Sequence, residues 1–249
     1  MGMGGVVHGA LRRVKLACRS FANELAGSSY ARRSYAQYGE DMVIRAILAR
    51  FPHDYRGFYV DVGAHHPLRF SNTYAFYEVG WCGICIDPSP LASPLFAHYR
   101  PRDIFVNEGV SESGGELTYY MYDEPALNTF SEELVRGLPA RPIATRPIQT
   151  NPLKAILERH LARGQVIDFL TIDTEGFEFD VIRSIDLTVF RPRLLLLEDM
   201  TGFPFLSAGP SPATAFLSNQ GYVLTCRLPS GLIFLDERRM TSGDGFLGM

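Results

Sequence analysis

The chain has 249 residues, of which 46% are hydrophobic and 20% are charged, so it is long enough for one α/β domain and short for two. Its net charge of -3 does not indicate a nucleic-acid partner, and its four cysteines are too scattered for a disulfide framework. No run of about 18 apolar residues is present, so we expect a cytoplasmic protein.

The chain begins with a basic extension. Six basic residues and one acid precede Ala36, without the long apolar core of a secretion signal. A frayed tail is the simpler interpretation. The alternative is a weak amphipathic helix that rests on anionic lipid as a peripheral membrane contact. We therefore predict an extension over residues 1–33 and a single domain over residues 34–249.

The first predicted helix spans Tyr38 to Phe51, where apolar residues recur at helical spacing. Gln37, Glu40 and Asp41 mark its start, and acids at that position complement the helix dipole. The functional alternative is that Gln37 and Glu40 contact the charged amino-acid end of a bound cofactor.

The stretch FYVDVGAHHP, from Phe58 to Pro67, predicts a buried strand that runs into a glycine turn. Ligands of open α/β sheets bind at the carboxyl ends of the strands, where Asp61, Gly63 and Ala64 are expected. The turn has one glycine, whereas a dinucleotide site needs three, and no phosphate loop is present in the chain. A cofactor without phosphates, such as S-adenosyl-L-methionine, therefore fits better than NAD or ATP. An ordinary exit from a strand is the alternative.

A second strand, GICID, ends at Asp87, which lies 26 residues after Asp61. A carboxylate at this position can accept hydrogen bonds from both hydroxyls of a ribose. Pro88 then breaks the strand. We therefore predict that Asp87 and Pro88 contact the cofactor, with a solvated acid at the strand end as the alternative.

The third strand, residues 104–106, ends at Asn107 and Glu108, which we expect near an adenine edge or a ribose. An inserted strand or hairpin is predicted over residues 116–122, where β-branched and aromatic residues are frequent. Residues 139–152 contain four prolines and predict a loop near the acceptor.

The fourth predicted strand, residues 167–173, opens onto three acids within six residues: Asp173, Glu175 and Glu178. A fifth strand over residues 193–198 and an antiparallel hairpin over residues 222–236 complete the sheet. Asp173, Glu175 and Glu178, together with His65, are the groups expected to take a proton from an acceptor hydroxyl. Each has a structural alternative, such as closing the crevice or capping the next helix. The acids could hold Mg²⁺, but metal-free chemistry is favoured.

Several separated blocks carry a family resemblance: SYAQYGED, GFYVDVGAHHP, FSNTYAFYEVGWCGICIDPSP, IDFLTIDTEGFEFDVI and RPRLLLLE. Between Ser34 and Glu198 the chain resembles the FkbM family of S-adenosyl-L-methionine-dependent methyltransferases. The resemblance implies a Rossmann-like methyltransferase fold, which is an α/β fold with a mostly parallel seven-stranded sheet, helices on both faces and a C-terminal antiparallel hairpin. It also implies O-methylation of a small-molecule or glycan acceptor. The basic extension is not part of the resemblance.

Two other function classes stay open at this point. An NAD-linked sugar oxidoreductase would use a similar sheet, although the glycine count argues against it. A catalytically inactive module that docks onto a biosynthetic complex is the non-enzymatic alternative, and the acids at three strand ends argue against that. The identity of the acceptor cannot be predicted from the sequence.

Overall fold

The computed structural model of the chain describes residues 31–199 and 211–238. The predicted basic extension lies almost wholly outside these ranges, so its boundary and its membrane contact stay predictions. Within the described ranges, no helix has both the length and the apolar character needed to cross a bilayer.

The described part of the chain contains ten strands: β1 (Phe58–Val62), β2 (Cys82–Ile86), β3 (Ile104–Val106), β4 (Gly109–Val110), β5 (Gly115–Met121), β6 (Ala144–Asn151), β7 (Phe169–Ile172), β8 (Leu194–Glu198), β9 (Tyr222–Arg227) and β10 (Gly231–Asp236). Its α-helices are α1 (Glu40–Leu48), α2 (Tyr74–Glu78), α3 (Ala92–Tyr99), α4 (Glu132–Gly137), α5 (Leu153–His160), α6 (Glu178–Arg183) and α7 (Pro212–Asn219), and a 3₁₀ turn spans Pro125–Leu127.

Seven strands form the main sheet in the order β3-β2-β1-β7-β8-β10-β9. The first five in that order run parallel, and β10 runs antiparallel to both β8 and β9. The mostly parallel seven-stranded sheet with its C-terminal antiparallel hairpin is therefore confirmed. Strand order reverses beside β1, which opens a crevice at the carboxyl ends of β1, β2 and β7.

Side chains that alternate along the strands build a core on each face of the sheet. Val60 and Val62 of β1 pack in one cluster with residues of α5, α6 and α7. Tyr59, which precedes Val60, belongs to the opposite cluster, together with residues of α1, α2 and α3. Because successive side chains of a strand point to opposite faces, one apolar run fills both cores. Helices cover both faces, as predicted.

A second sheet is inserted between β3 and β7, in the order β4-β6-β5. The predicted strand over residues 116–122 is β5, but the predicted loop over residues 139–152 is wrong, because residues 144–151 form β6. Pro147 sits opposite Thr118 of β5, while β4 pairs only with Thr150 and Asn151. The proline therefore occupies a stretch of β6 with one edge that pairs with no described strand, and edge positions tolerate proline.

A buried arginine connects β1 to the loops that contain Ser71 and Asp103. Arg100 follows α3, is 1% exposed, and donates to Asp103 (2.6 Å), to the Tyr59 hydroxyl (2.9 Å) and to Ser71 Oγ (3.3 Å). Asp61 lies near this cation and accepts a 2.6 Å bond from Thr73 Oγ1. Burial raises the pKa of Asp61, and the nearby guanidinium opposes that rise.

We expect Arg100→Met to destabilise the protein by about 3 to 5 kcal/mol, because it leaves the carboxylate of Asp103 buried without its cation. Urea denaturation followed by circular dichroism measures the change. Arg163→Met is the matched control at an exposed position, and it should stay within about 0.5 kcal/mol of wild type. Equal losses in the two variants would contradict a supporting role for the Arg100 network.

Candidate functional site

The carboxyl ends of β1, β2 and β7 open into a cavity with about 780 Å³ of open space, here called the larger cavity. Its wall includes eight of the predicted site residues: Gln37, Gly63, His65, Asp87, Pro88, Glu108, Asp173 and Glu175. A smaller cavity of about 300 Å³ adjoins it, and Gln37, Phe70 and Asp173 line both.

The glycine turn after β1 forms part of the wall. The N–H groups of Gly63 and Ala64 donate to the Ile86 carbonyl at 2.9 and 3.1 Å, and Gly63 has φ +80°. A Cβ at Gly63 would collide with the Asp173 carbonyl. The glycine is therefore needed for tight packing between the β1 turn and the end of β7, in addition to ligand access.

Asp87 is held at the rim of β2 by backbone donors. Its two carboxyl oxygens accept 2.8 Å bonds from the N–H groups of His65 and Ser89. Each oxygen keeps a lone pair that a ligand hydroxyl can use. Burial raises the pKa of Asp87 to about 6. Below neutral pH the carboxyl group therefore begins to lose the charge that strengthens such bonds.

Four residues predicted to contact the cofactor do not line the larger cavity. Ala64 packs into a core cluster, and Asp61 points into the Arg100 network. Asn107 donates to the carbonyls of Asp87 and Ser89 at 2.7 and 2.9 Å, so it stabilises the loop that follows β2. Glu40 lines the smaller cavity instead of the larger one.

Three carboxyl groups meet where the two cavities join. Oxygen atoms of Asp173, Glu175 and Glu198 all lie within 4.8 Å of one another. Burial, followed by the charge of neighbouring acids, raises the pKa of Glu175 to about 8. Asp173 and Glu198 share a hydrogen bond, and burial raises the pKa of both. The cluster therefore holds protons at neutral pH.

Glu198 was not among the predicted site residues. The fifth predicted strand ended at this residue, so the rule that selected Asp87 and Asp173, an acid at the end of a parallel strand, would also have selected Glu198.

Glu178 takes the helix-capping role that the sequence offered as the alternative for Glu175. Its Oε1 accepts bonds from the N–H groups of Thr174 (2.8 Å) and Gly176 (3.0 Å) at the start of α6. It does not line either cavity. These bonds account for Glu178 without a catalytic role.

Three non-glycine residues of the wall have left-handed backbone: His65, Phe70 and Glu175. Glu175 has φ +53°, and its carbonyl accepts a 2.7 Å bond from Thr129 Oγ1 of the insertion. His65 has φ +47°, and its buried Nε2 has no hydrogen-bond partner among the described residues. Burial lowers the pKa of His65 to about 4, so its imidazole is neutral at physiological pH. Strained backbone of this kind is frequent at functional sites.

A family profile described as the methyltransferase FkbM domain matches residues 61–224. A solved FkbM methyltransferase from Methylobacillus flagellatus is 14% identical with a TM-score of 0.49, and the alignment covers 80% of this chain and 48% of that one. The chain thus spans about half the length of that structure.

A second solved structure is the 1,6-didemethyltoxoflavin-N1-methyltransferase from Burkholderia thailandensis with bound 1,6-didemethyltoxoflavin and S-adenosylhomocysteine. It is 12% identical with a TM-score of 0.41, covering 95% of this chain and 91% of that one. No curated protein matches the chain significantly.

We expect the stability of the protein to fall as pH rises from about 5 to 9. Carboxyl groups with a raised pKa in the folded state stabilise it fully below their unfolded pKa, and this contribution is lost as pH rises through the folded value, which is about 8 for Glu175. Glu198→Gln keeps a donor for Asp173 and removes one buried ionisation. It should therefore be more stable than wild type at pH 9 by roughly 1 to 3 kcal/mol.

Urea denaturation at pH 5, 7 and 9 measures this difference, with Glu116→Gln as the exposed control. If the free energy of unfolding depends on pH in the same way in wild type, Glu198→Gln and Glu116→Gln, the carboxyl cluster is not coupled to stability.

Proposed function

The chain belongs to the FkbM methyltransferase family, and on this premise we propose that it transfers a methyl group from S-adenosyl-L-methionine to a hydroxyl group of a sugar, a polysaccharide precursor or a natural product. The observation that carries the proposal is the larger cavity, which brings the Gly63 turn, Asp87 and the acids after β7 together at one edge of the sheet. Family membership supports methyl transfer, and the cavity chemistry supports the choice of cofactor.

The residues of the larger cavity fit an adenosyl cofactor without phosphates. Among the described residues, those that line this cavity include no Lys or Arg, which a pyrophosphate would need for charge compensation. Asp87 is placed to accept bonds from ribose hydroxyls, and Glu108 lines the wall beyond β3, on the adenine side. The ammonium and sulfonium groups would lie beside Asp173 and Glu175, and these positive charges would favour the ionised form of both acids.

S-adenosyl-L-methionine supplies an activated methyl group when it is bound. The chain's own residues must then align an acceptor hydroxyl and take its proton. Glu175 suits the second task, because its pKa near 8 lies close to physiological pH and its carboxyl group lines the cavity. The bond from Thr129 fixes the backbone that carries this group.

The inserted sheet and the 3₁₀ turn cover the site. Tyr119 of β5 is 4% exposed and lines the larger cavity together with Pro125 and Phe130. These side chains keep water from the reacting groups, and excluding water strengthens every charge interaction inside the cavity. His65 is neutral, and its buried Nε2 has no hydrogen-bond partner among the described residues, so it would exchange one hydrogen bond with the cofactor or the acceptor.

We expect Asp87→Asn to weaken the binding of S-adenosylhomocysteine by about 10-fold to 100-fold, because charge-assisted bonds to the ribose are lost. Isothermal titration calorimetry measures the affinity. Asp54→Asn, at an exposed position, is the matched control and should bind as wild type does. Circular dichroism melting of both variants separates lost contacts from lost folding.

Unchanged affinity in a folded Asp87→Asn variant would remove Asp87 from the site. Tighter binding of NAD than of S-adenosylhomocysteine by the wild-type protein would favour the oxidoreductase alternative. Binding of neither compound would favour the docking module.

A further inference from the structure

The carboxyl cluster has the geometry of a site for one ion. β7 and β8 run side by side with Ile172 opposite Leu197, so the residues that follow, Asp173 and Glu198, end next to each other. Glu175 joins them from the turn after β7, and the three carboxyl groups present oxygens within 4.8 Å of one another. Two oxygens on opposite sides of Mg²⁺ lie about 4.0 to 4.2 Å apart, since each bond is about 2.0 to 2.1 Å long, so the carboxyl groups need to move by only a few tenths of an ångström to hold the ion.

An independent observation comes from a neutral side chain that these acids do not contact. Ser230 is 7% exposed and lines the smaller cavity, yet its hydroxyl has no hydrogen bond to any described residue. The next residue, Gly231, pairs with Glu198, which places Ser230 beside the cluster. This hydroxyl is therefore free to bind a ligand in the smaller cavity.

A second neutral oxygen faces the same space. Asn72 is 8% exposed and lines the smaller cavity, and its side-chain nitrogen donates to Thr171 Oγ1 at 3.1 Å. Its carbonyl oxygen accepts no bond from the described residues. Carboxylate, hydroxyl and amide oxygens are the ligands that hard divalent cations take in proteins.

The charge of the smaller cavity calls for a cation. Glu40, Asp173 and Glu198 line it, and the described residues of its wall include no Lys, Arg or His. Residues 200–210, which follow β8 in sequence, contain no ionisable side chain. Ionising buried acids that lie this close together costs several kcal/mol unless a cation is bound beside them. An amine of the acceptor would relieve part of that cost. A metal ion fits better, because all the candidate ligands are oxygen atoms that could reach one ion.

We propose that Asp173, Glu175 and Glu198 bind one divalent cation, Mg²⁺ or Mn²⁺, with Ser230 and Asn72 beside it in the smaller cavity. The sequence favoured metal-free chemistry, and the proposal replaces that preference. The role of the ion in catalysis rests on the proposed function. An ion at this place would orient the acceptor hydroxyl beside the methyl group and lower the pKa of that hydroxyl. The binding of the ion does not depend on that function.

Mn²⁺ titration of the chelator-treated full chain, followed by electron paramagnetic resonance, tests the proposal. Wild type should bind about one Mn²⁺ per chain, with Mg²⁺ as a competitor. Glu198→Gln should weaken Mn²⁺ binding by about 10-fold to 100-fold or abolish it, and Ser230→Ala should weaken it less. Glu116→Gln, an exposed carboxyl remote in sequence from the cluster, is the control and should bind as wild type does.

Calorimetry with S-adenosylhomocysteine on the same samples shows that each variant is folded and keeps the larger cavity. No saturable Mn²⁺ binding by wild type, or equal binding by Glu198→Gln and wild type, would overturn the proposal. Release of bound Mn²⁺ by glucosamine but not by glucose would assign the site to an amine of the acceptor and would also overturn it. If wild type binds Mn²⁺ but does not bind S-adenosylhomocysteine, that result would contradict the proposed function and leave the metal site intact.

Discussion

Parallel strands end at the same edge of a sheet, and in this protein that edge carries several buried carboxyl groups. Asp87 follows β2, Asp173 follows β7, and Glu198 is the last residue of β8. Burial raises the pKa of Asp173 and Glu198, and the charges of nearby acids add to the rise. The fold therefore keeps acids at a place where only protons or bound cations make them stable, and the proposed cofactor and metal ion both meet that requirement.

The remainder of the fold holds this edge in place. Two cores, one on each face, fix the five parallel strands in register. The Arg100 network anchors the loop that follows β1, while the backbone N–H groups of His65 and Ser89 fix the carboxyl group of Asp87. The insertion contributes a hydrogen bond from Thr129 to the strained backbone of Glu175. The geometry of the site thus depends on the two cores, on the loops after β1 and β2, and on the insertion.

Most of the sheet could be predicted from the sequence, because a buried parallel strand is a short apolar run that ends at a glycine, a proline or an acid. The same rule located Gly63 and Asp87. β6 was missed because prolines normally mark loops, and only its pairing with β5 shows that the other edge of Pro147 pairs with no described strand. The helix α3 was missed because the prolines around it obscured its apolar spacing.

Individual side chains of the site were harder to predict than the strands. Asp61 and Asp87 look alike in sequence, but Asp61 lies within β1, where the alternation of the strand turns it toward Arg100. Asn107 and Glu178 are occupied by hydrogen bonds to nearby backbone, which depend on loop conformation. The role of Glu198 in the cluster becomes visible only when β7 and β8 are seen to be neighbours.

A crystal structure of the protein with S-adenosylhomocysteine tests the central claim most directly. The account predicts ribose hydroxyls within about 3.2 Å of the Asp87 carboxyl oxygens, with the sulfur facing Asp173 and Glu175. Adenosine bound away from Asp87, or a sulfur that points away from the acids after β7, would contradict it.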